Sequence, residues 1–228
     1  MIGPDVYVSG AYVEHFQPDI AANPFRALYA AKRSDVLAAV ELCLPTGASV
    51  LDLGGGPGRI AVPLARRYRV TLADVSSDML AMAADRAART GVRLEVQRAD
   101  AADPLPFATG SFDAGLCIDL VAHLPRAAAT LAEVWRVLAP GGVLLVDASN
   151  RAPWWILRYP RALGRRPGDW WATWRAGGVR PEWQATVRHH RLADFMELVK
   201  TAGFDFEREW RYGPRWCPKW VLTQWRRA

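Results

Sequence analysis

Apolar runs typical of β-strands alternate with helix-like runs along the chain from residue 48 to residue 149. The strand-like runs cover residues 48–53, 69–75, 92–100, 111–119 and 142–149. The helix-like runs between them cover residues 59–67, 78–89 and 126–138. Such alternation is typical of parallel strands joined by crossover helices. The sequence therefore predicts a doubly wound α/β sheet with helices on both faces.

The alternating pattern is preceded by a helical segment and is interrupted once. Residues 27–44 form the clearest helix-like run near the start, whereas residues 150–188 are rich in Trp, Arg, Pro and Gly without clear periodicity. The pattern resumes with a helix at 192–202, a strand at 204–212 and a last strand near 219–226. We therefore expect an N-terminal helical segment, residues 1–47, and one domain, residues 48–228, with an insertion at 150–188.

Apolar content and cysteine usage limit the classes of protein to which this chain can belong. Of its 228 residues 51% are hydrophobic, which is enough for a core without covalent staples. Cys43, Cys117 and Cys217 are far apart and form no CxxC pair, which argues against a disulfide framework or a structural zinc site. No basic segment followed by an apolar run opens the chain, and no run approaches the roughly 18 apolar residues of a membrane-spanning helix. We expect a cytoplasmic protein that holds no metal.

The first strand runs directly into a glycine-rich turn, Gly54-Gly55-Gly56-Pro57-Gly58. Glycines allow positive φ angles and let a ligand lie against bare backbone. A dinucleotide fingerprint can be found at Gly56, Gly58 and Ala61, but it leaves Asp52 unexplained. From Gly54 the spacing is D-x-G-x-G-x-G, which departs from the dinucleotide pattern G-x-G-x-x-G. The turn therefore predicts a ligand site and favours a cofactor other than a nicotinamide or flavin.

Two acidic residues end the strands that follow the turn. Asp74 closes the second strand, 20 residues after Gly54, where a carboxylate faces the crevice and can accept both ribose hydroxyls. The alternative is a helix N-cap, although residues 76–78 can fill that role instead. Asp100 closes the third strand and precedes Ala101, where adenine recognition is expected; the alternative is an ordinary loop acid.

Six motifs in this order resemble the class I S-adenosylmethionine-dependent methyltransferase family, of the small-molecule type. They are Asp52–Gly58, Asp74, Ala99-Asp100-Ala101, Phe112-Asp113, Leu138-Ala139-Pro140-Gly141-Gly142 and Ala202-Gly203-Phe204. The resemblance covers roughly residues 48–149 and 190–226. It implies a seven-stranded sheet in the order 3-2-1-4-5-7-6 with the last strand antiparallel. It also implies S-adenosyl-L-methionine as the cofactor, S-adenosyl-L-homocysteine as its product, and an N-terminal segment that acts as a lid.

The same resemblance assigns cofactor contacts to ten residues. These are Asp52 supporting the turn, Gly54 and Gly56 flanking the methionine moiety with Gly55 between them, Asp74 at the ribose, Val75 and Met79 along the adenine slot, Asp100 and Ala101 at the adenine edge, and Ile118 near the sulfonium. A sulfonium is already an activated leaving group, so the enzyme mainly aligns the nucleophile in a water-poor pocket. No metal is required for this chemistry.

A general base near the crevice is the remaining chemical requirement for many acceptors. His123 follows the fourth strand, four residues after Asp119, and these two are the candidate catalytic residues. Asp119 could orient a donor group of the acceptor or accept its proton, but an ordinary loop contact explains it equally well. His189 and His190 open a later helix, where a surface pair is the simpler interpretation.

The insertion is the expected determinant of acceptor specificity. Residues 150–185 hold seven arginines and six of the 11 tryptophans, so most of the basic excess in the net charge of +6 belongs there. A pocket lined by aromatic side chains suits a planar or apolar acceptor, but the tryptophans could equally form the core of a helical subdomain. Residues 154–166 could also contact a membrane surface peripherally. We predict methylation of an O, N or C atom of a small organic acceptor, aromatic or apolar, in specialised metabolism.

Two alternatives share the glycine turn. The first is RNA methylation, which the scarcity of lysine (Lys32, Lys200 and Lys219) argues against. The lack of an Asn-Pro-Pro-Tyr motif after the fourth strand argues against methylation of a nucleobase exocyclic amine. The second is a protein of this fold that binds the cofactor without methylating, because a glycine turn reports binding and not methyl transfer.

Overall fold

The computed structural model describes residues 26–149, 190–213 and 218–228. Its helices are α1 (Arg26–Cys43), α2 (Ala61–Leu64), α3 (Ser77–Thr90), α4 (Ala127–Val137) and α5 (Leu192–Thr201), with a 3-10 turn at Val121–His123. Its strands are β1 (Ser49–Leu53), β2 (Arg69–Asp74), β3 (Glu95–Arg98), β4 (Phe112–Cys117), β5 (Leu138–Ser149), β6 (Phe204–Tyr212) and β7 (Trp220–Arg227). None of these helices is both long and apolar enough to cross a bilayer.

All seven strands form one sheet in the order β3-β2-β1-β4-β5-β7-β6. Strands β1 to β5 are parallel to one another, and β7 runs antiparallel to both β5 and β6. The predicted fold and strand order are therefore confirmed. Because the chain moves from β1 outward to β2 and later returns to β4 on the other side, the strand order reverses between β1 and β4. Ligands of open α/β sheets bind at this point, beyond the carboxyl ends of the strands.

Helices cover both faces of the sheet because the buried strands present apolar side chains to both sides. In β1, Val50 packs with α1, α2 and α3, whereas Leu51 and Leu53 pack with α4 and α5. Strand β5 repeats this division, since Val143 and Leu145 belong to the first cluster and Leu144 and Val146 to the second. The two cores hold the carboxyl ends of β1, β2, β4 and β5 at one edge of the sheet.

Strand β5 starts earlier than the sequence predicts. Helix α4 ends at Val137, but Leu138 is already extended and pairs with Phe112 of β4. The register then shifts, so that Ala114 pairs with Val143. The expected start at residue 142 is thus wrong. Leu138 pairs with Phe112, so β5 begins before the Pro-Gly-Gly sequence rather than after it.

Three predicted features lie wholly or mostly outside the described residues. These are the first 25 residues of the predicted lid, the insertion at 150–188, and His189.

Candidate functional site

The glycine turn joins β1 to α2 with three residues in the left-handed region. The φ angles of Gly54, Gly56 and Gly58 are +71°, +52° and +73°. Such angles are costly for any residue with a Cβ atom. The Gly54 N–H donates to the carbonyl of Ala73 at 2.7 Å, which ties the start of the turn to β2. A Cβ atom placed on Gly56 would meet no atom within 4 Å, so open space lies beside this part of the backbone.

Asp74 connects the end of β2 to the glycine turn. Its Oδ2 atom accepts the N–H of Gly56 and its Oδ1 atom accepts the N–H of Ser76, each at 2.9 Å. The N-cap of α3 is Ser76, whose hydroxyl accepts the N–H of Met79 at 3.4 Å, so Asp74 is not the N-cap. Burial raises the pKa of Asp74, although the N–H bonds of Ser76 and Gly56 act against this rise. The backbone N–H of Val75 also donates to this carboxylate, so one of its roughly four acceptor positions stays available to a ribose hydroxyl.

Asp52 lies beneath the turn and is almost completely buried. Only 2% of the residue is exposed, and its carboxylate accepts the backbone N–H of Ala61. Its Oδ2 atom is buried and has no hydrogen-bond partner in the described part of the chain. Burial, followed by the negative charge of Asp74, raises the pKa of Asp52 to about 7. The position fits the predicted supporting role.

The loop after β3 lies next to Asp74, because the Ala99 N–H donates to the carbonyl of Asp74 at 3.1 Å. Asp100 orders its own loop by accepting the N–H of Ala102 at 2.8 Å. Ala101 is buried, and its carbonyl accepts the hydroxyl of Thr130 at 2.7 Å.

The two residues predicted to line the adenine slot follow β2, with Met79 in the first turn of α3. The carbonyl of Val75 accepts the Nε–H of Arg98 at 3.3 Å, and Met79 is buried with 2% of it exposed. The adenine contacts assigned to Val75, Met79, Asp100 and Ala101 stay predictions.

The loop after β4 packs against the glycine turn across the strand-order reversal. A Cβ atom on Gly54 would lie 2.8 Å from Cδ1 of Leu120, so the two segments are in close contact. Ile118 is buried, whereas Asp119 is partly exposed and has a φ of +56°. His123 ends the 3-10 turn; burial lowers its pKa, and the charge of Asp119 acts in the opposite direction. Asp119 and the turn are thus brought to one crevice.

Asp119 is bound by two charged residues that the sequence analysis did not identify as part of the site, Lys32 and Asp147. Lys32 of α1 places its Nζ atom 2.6 Å from Oδ1 of Asp119 and 2.6 Å from Oδ2 of Asp147. The other oxygen of Asp147 accepts the backbone N–H of Asp119 at 2.6 Å. We call Lys32, Asp119 and Asp147 the acid–lysine cluster.

Burial and neighbouring charges shift the pKa values of Lys32 and Asp147. Burial lowers the pKa of Lys32, but Asp119 and Asp147 outweigh it and raise the value above normal. Burial also raises the pKa of Asp147, to about 6, although the charge of Lys32 opposes the rise.

Both missed residues carried a signal in the sequence. Lys32 lies on the apolar face of α1 that also presents Val36, Ala39 and Val40, and Asp147 interrupts the apolar run of β5. A charge inside an apolar stripe needs a partner because an unpaired buried charge is very costly.

Aromatic side chains surround the buried lysine. The ring centroids of Tyr29 and Trp220 are 4.7 Å apart, and Nζ of Lys32 lies 5.4 Å from the first and 5.0 Å from the second. Lys219 places its Nζ atom 3.9 Å from the Trp220 ring centroid, and burial lowers the pKa of Lys219 to about 7. Trp220 pairs with Ser149, so these groups lie at the carboxyl end of β5.

Within the described ranges, no group of three or more His, Cys, Asp or Glu side chains is arranged to hold a metal ion. The carboxylates described at this edge form two sets, Asp52 and Asp74 at the glycine turn and those of the acid–lysine cluster beyond β4.

Comparison with known proteins agrees with this geometry. Residues 50–142, which include the glycine turn, Asp74 and the loop after β4, match the family described as a methyltransferase domain. This segment of the chain is thus similar to methyltransferase domains. The matched segment of the methyltransferase domain ends within β5, so it covers the first five strands of the sheet.

Two methyltransferases are similar to this chain in sequence. A ubiquinone biosynthesis O-methyltransferase of Xanthomonas oryzae pv. oryzae (strain PXO99A) is 31% identical over 138 residues, which are 60% of this chain and 54% of that protein. A ubiquinone/menaquinone biosynthesis C-methyltransferase of Sinorhizobium fredii (strain NBRC 101917 / NGR234) is 42% identical over 103 residues, 42% of this chain and 40% of that protein. The chain spans about half of these relatives or less.

Among solved structures, magnesium protoporphyrin IX methyltransferase from Synechocystis PCC 6803 with bound SAM superimposes with a TM-score of 0.71. The identity is 18%, and the match covers 100% of this chain and 99% of that one. At this identity the likeness shows the fold of the methyltransferase domain.

Proposed function

We propose that this protein is an S-adenosylmethionine-dependent methyltransferase that methylates an O, N or C atom of a small organic acceptor. The observation that carries the proposal is the glycine turn tied to Asp74 at the strand-order reversal, within the segment that matches methyltransferase domains. Open space beside Gly56 gives a ligand access to bare backbone.

The residues at the glycine turn fit the cofactor. Gly54 and Gly56 would lie beside its methionine moiety, and Asp74 has an acceptor position for a ribose hydroxyl. When bound, the cofactor supplies an electrophilic methyl group on a sulfonium. Asp52 supports the turn by accepting the backbone N–H of Ala61. It also packs closely against Gly55, where a Cβ atom would be 2.7 Å from Oδ2 of Asp52.

Two side chains in the same crevice could handle the acceptor's proton. The Asp119 side chain is partly exposed and its neighbour Leu120 contacts the glycine turn, so an acceptor placed there could approach the carboxylate. Burial lowers the pKa of His123, which favours a neutral imidazole that can accept a proton near pH 7. We assign Asp119 and His123 as candidate catalytic residues on this basis.

The character of the acceptor is proposed from the surroundings of Asp119 and from the relatives. Ile118, Tyr29 and Trp220 make this end of the sheet apolar and aromatic, which suits an aromatic or apolar acceptor. The relatives named for ubiquinone biosynthesis support the same class. We also propose a cytoplasmic location, supported by the free thiols of Cys43 and Cys117.

Calorimetry on ligand-stripped protein tests the cofactor site. Replacing Asp74 with Ala removes a charged hydrogen-bond acceptor, so we expect S-adenosyl-L-homocysteine to bind about 1.5–3 kcal/mol more weakly, roughly 10- to 150-fold. Asp78→Ala is the matched control, because Asp78 is an exposed carboxylate in the first turn of α3. Equal affinities of the Asp74 and Asp78 variants would show that Asp74 serves only the turn. No heat with either form of the cofactor would refute the proposed function.

Transfer of a labelled methyl group separates the two alternative functions. Purified protein is incubated with the labelled donor and with separate small-molecule and RNA pools. Label in extractable small molecules supports the proposal, and label in RNA supports RNA methylation. Cofactor binding without transfer to either pool supports a non-methylating role.

A further inference from the structure

The backbone of Asp119 adopts a conformation that L-residues rarely adopt. Its φ of +56° is the only positive value of a non-glycine residue in the described chain. Aspartate tolerates this region better than most residues, yet the conformation still costs free energy and persists only where surrounding contacts hold it. The contacts that hold it are therefore informative.

Asp119 is anchored through both its backbone and its side chain. Its N–H donates to Asp147 of β5, and its Oδ1 atom accepts Nζ of Lys32, with both distances at 2.6 Å. Lys32 and the Asp147 side chain are each only 2% exposed, whereas 40% of the Asp119 side chain remains exposed. Two buried groups thus hold a third group at the crevice.

Stability alone is a weak explanation of this arrangement. Lys32 carries one positive charge against two carboxylates, and two of these three groups are fully desolvated. A buried ion pair is often no more stable than apolar residues of similar volume, so it contributes little net stability. Beyond packing, the acid–lysine cluster holds the exposed carboxylate of Asp119 in a fixed position.

The position reached by Asp119 is next to the proposed methyl donor site. Leu120, its neighbour in sequence, contacts the glycine turn at Gly54. A carboxylate there can accept a hydrogen bond from an O–H or N–H group and so orient the oxygen or nitrogen toward the turn.

We propose that Lys32 is a positioning residue that, with Asp147, holds Asp119 so that its carboxylate binds the O–H or N–H hydrogen of the acceptor's nucleophilic group. This inference rests on the proposed function and narrows the acceptor to alcohols, phenols or amines. In the reaction the O–C or N–C bond forms as the donor's C–S bond breaks, and the electron pair stays on sulfur. The acceptor's proton becomes strongly acidic as its atom gains the methyl group, and it passes to Asp119.

A double-mutant cycle tests whether Lys32 acts through Asp119. Labelled methyl transfer to catechol, an O–H probe, and to aniline, an N–H probe, is measured for wild type, Lys32→Met, Asp119→Asn and the double variant. We expect Lys32→Met to lower kcat/KM for the probe by on the order of 10- to 100-fold, because a small misplacement is costly. S-adenosyl-L-homocysteine affinity should not change. Added to Asp119→Asn, Lys32→Met should have little further effect.

Two further variants separate positioning from folding. Lys32→Met combined with Asp147→Asn removes the uncompensated buried carboxylate, so we expect its unfolding midpoint to recover toward the wild-type value while probe turnover stays low. Lys200→Met is the control, because Lys200 is an exposed lysine at the end of α5. It should match wild type in both measurements.

Each contrary result has a defined meaning. Equal losses from Lys32→Met with and without Asp119→Asn would overturn the positioning role, and so would recovery of turnover in the Lys32→Met/Asp147→Asn variant. Wild-type protein that binds S-adenosyl-L-homocysteine but methylates neither probe would overturn the acceptor class and leave the cofactor site intact. Absence of cofactor binding would instead overturn the proposed function itself.

Discussion

Gly55 is the position in the turn where an added methyl group has no space. A Cβ atom there would lie 2.7 Å from Oδ2 of Asp52 and 2.7 Å from Cγ of Leu72, well inside normal contact distance. Asp52 is 2% exposed and Leu72 is 0% exposed, so neither side chain can move toward solvent. Unlike Gly54 and Gly56, Gly55 does not have a positive φ. The cost of Gly55→Ala is therefore steric.

Overpacking of this kind costs about 1–3 kcal/mol of unfolding free energy. Because the clash pushes on Asp52 and on the turn itself, we expect a loss of S-adenosyl-L-homocysteine affinity as well. Urea unfolding followed by circular dichroism measures the first quantity, and calorimetry measures the second. Both measurements are made on the full chain.

Gly91→Ala is the matched control for this substitution. Gly91 ends α3 with a φ of +65°, and a Cβ atom there would meet nothing within 4 Å. Its replacement should cost about 1–2 kcal/mol from backbone strain alone and leave cofactor affinity unchanged. The reasoning is refuted if Gly55→Ala unfolds within about 0.5 kcal/mol of wild type and binds the cofactor normally, since ordinary surface substitutions fall within that range.

Two further predictions concern the buried acid and the helix cap. The pKa of Asp52 is raised to about 7, so its carboxyl group stays protonated in the folded state at pH values where the unfolded chain has lost that proton. The unfolding free energy should therefore fall as pH rises from about 4 to about 7. Asp147, with a pKa of about 6, contributes in the same direction. Asp52→Asn should make the unfolding free energy, measured by urea unfolding, depend less on pH across this range; an unchanged pH dependence would contradict the raised pKa of Asp52. Ser76→Ala removes the cap of α3 and should cost about 1 kcal/mol, whereas Ser77→Ala at the neighbouring exposed position should cost far less. Equal unfolding midpoints for the two serine variants would show that the contact to Met79 contributes nothing.

The features that could be predicted from the sequence are those that neighbouring residues determine. Alternating apolar runs identified the strands and helices of the sheet, because the periodicities of a strand and a helix differ within a few residues. The glycine turn and Asp74 could be related to each other because strand, turn and helix follow directly in sequence. The resemblance carried by six ordered motifs supplied the strand order, which periodicity alone does not contain.

The start of β5 shows where local pattern is insufficient. Proline and glycines at 140–142 suggested a boundary, but Leu138 becomes extended because Phe112 of β4 is available to pair with it. Strand pairing is a property of two distant segments, so one segment's composition does not decide where the strand begins.

The acid–lysine cluster depended on the tertiary structure. Lys32 is 87 residues from Asp119 and 115 residues from Asp147, and only the packing of α1 against the sheet brings the three together. The sequence marks Lys32 and Asp147 as charges in unusual places, since a lysine in an apolar helix face and an aspartate in an apolar strand both need partners. Which charges become partners is decided by the folded chain, because Coulomb attraction and desolvation depend on distances that sequence separation does not determine.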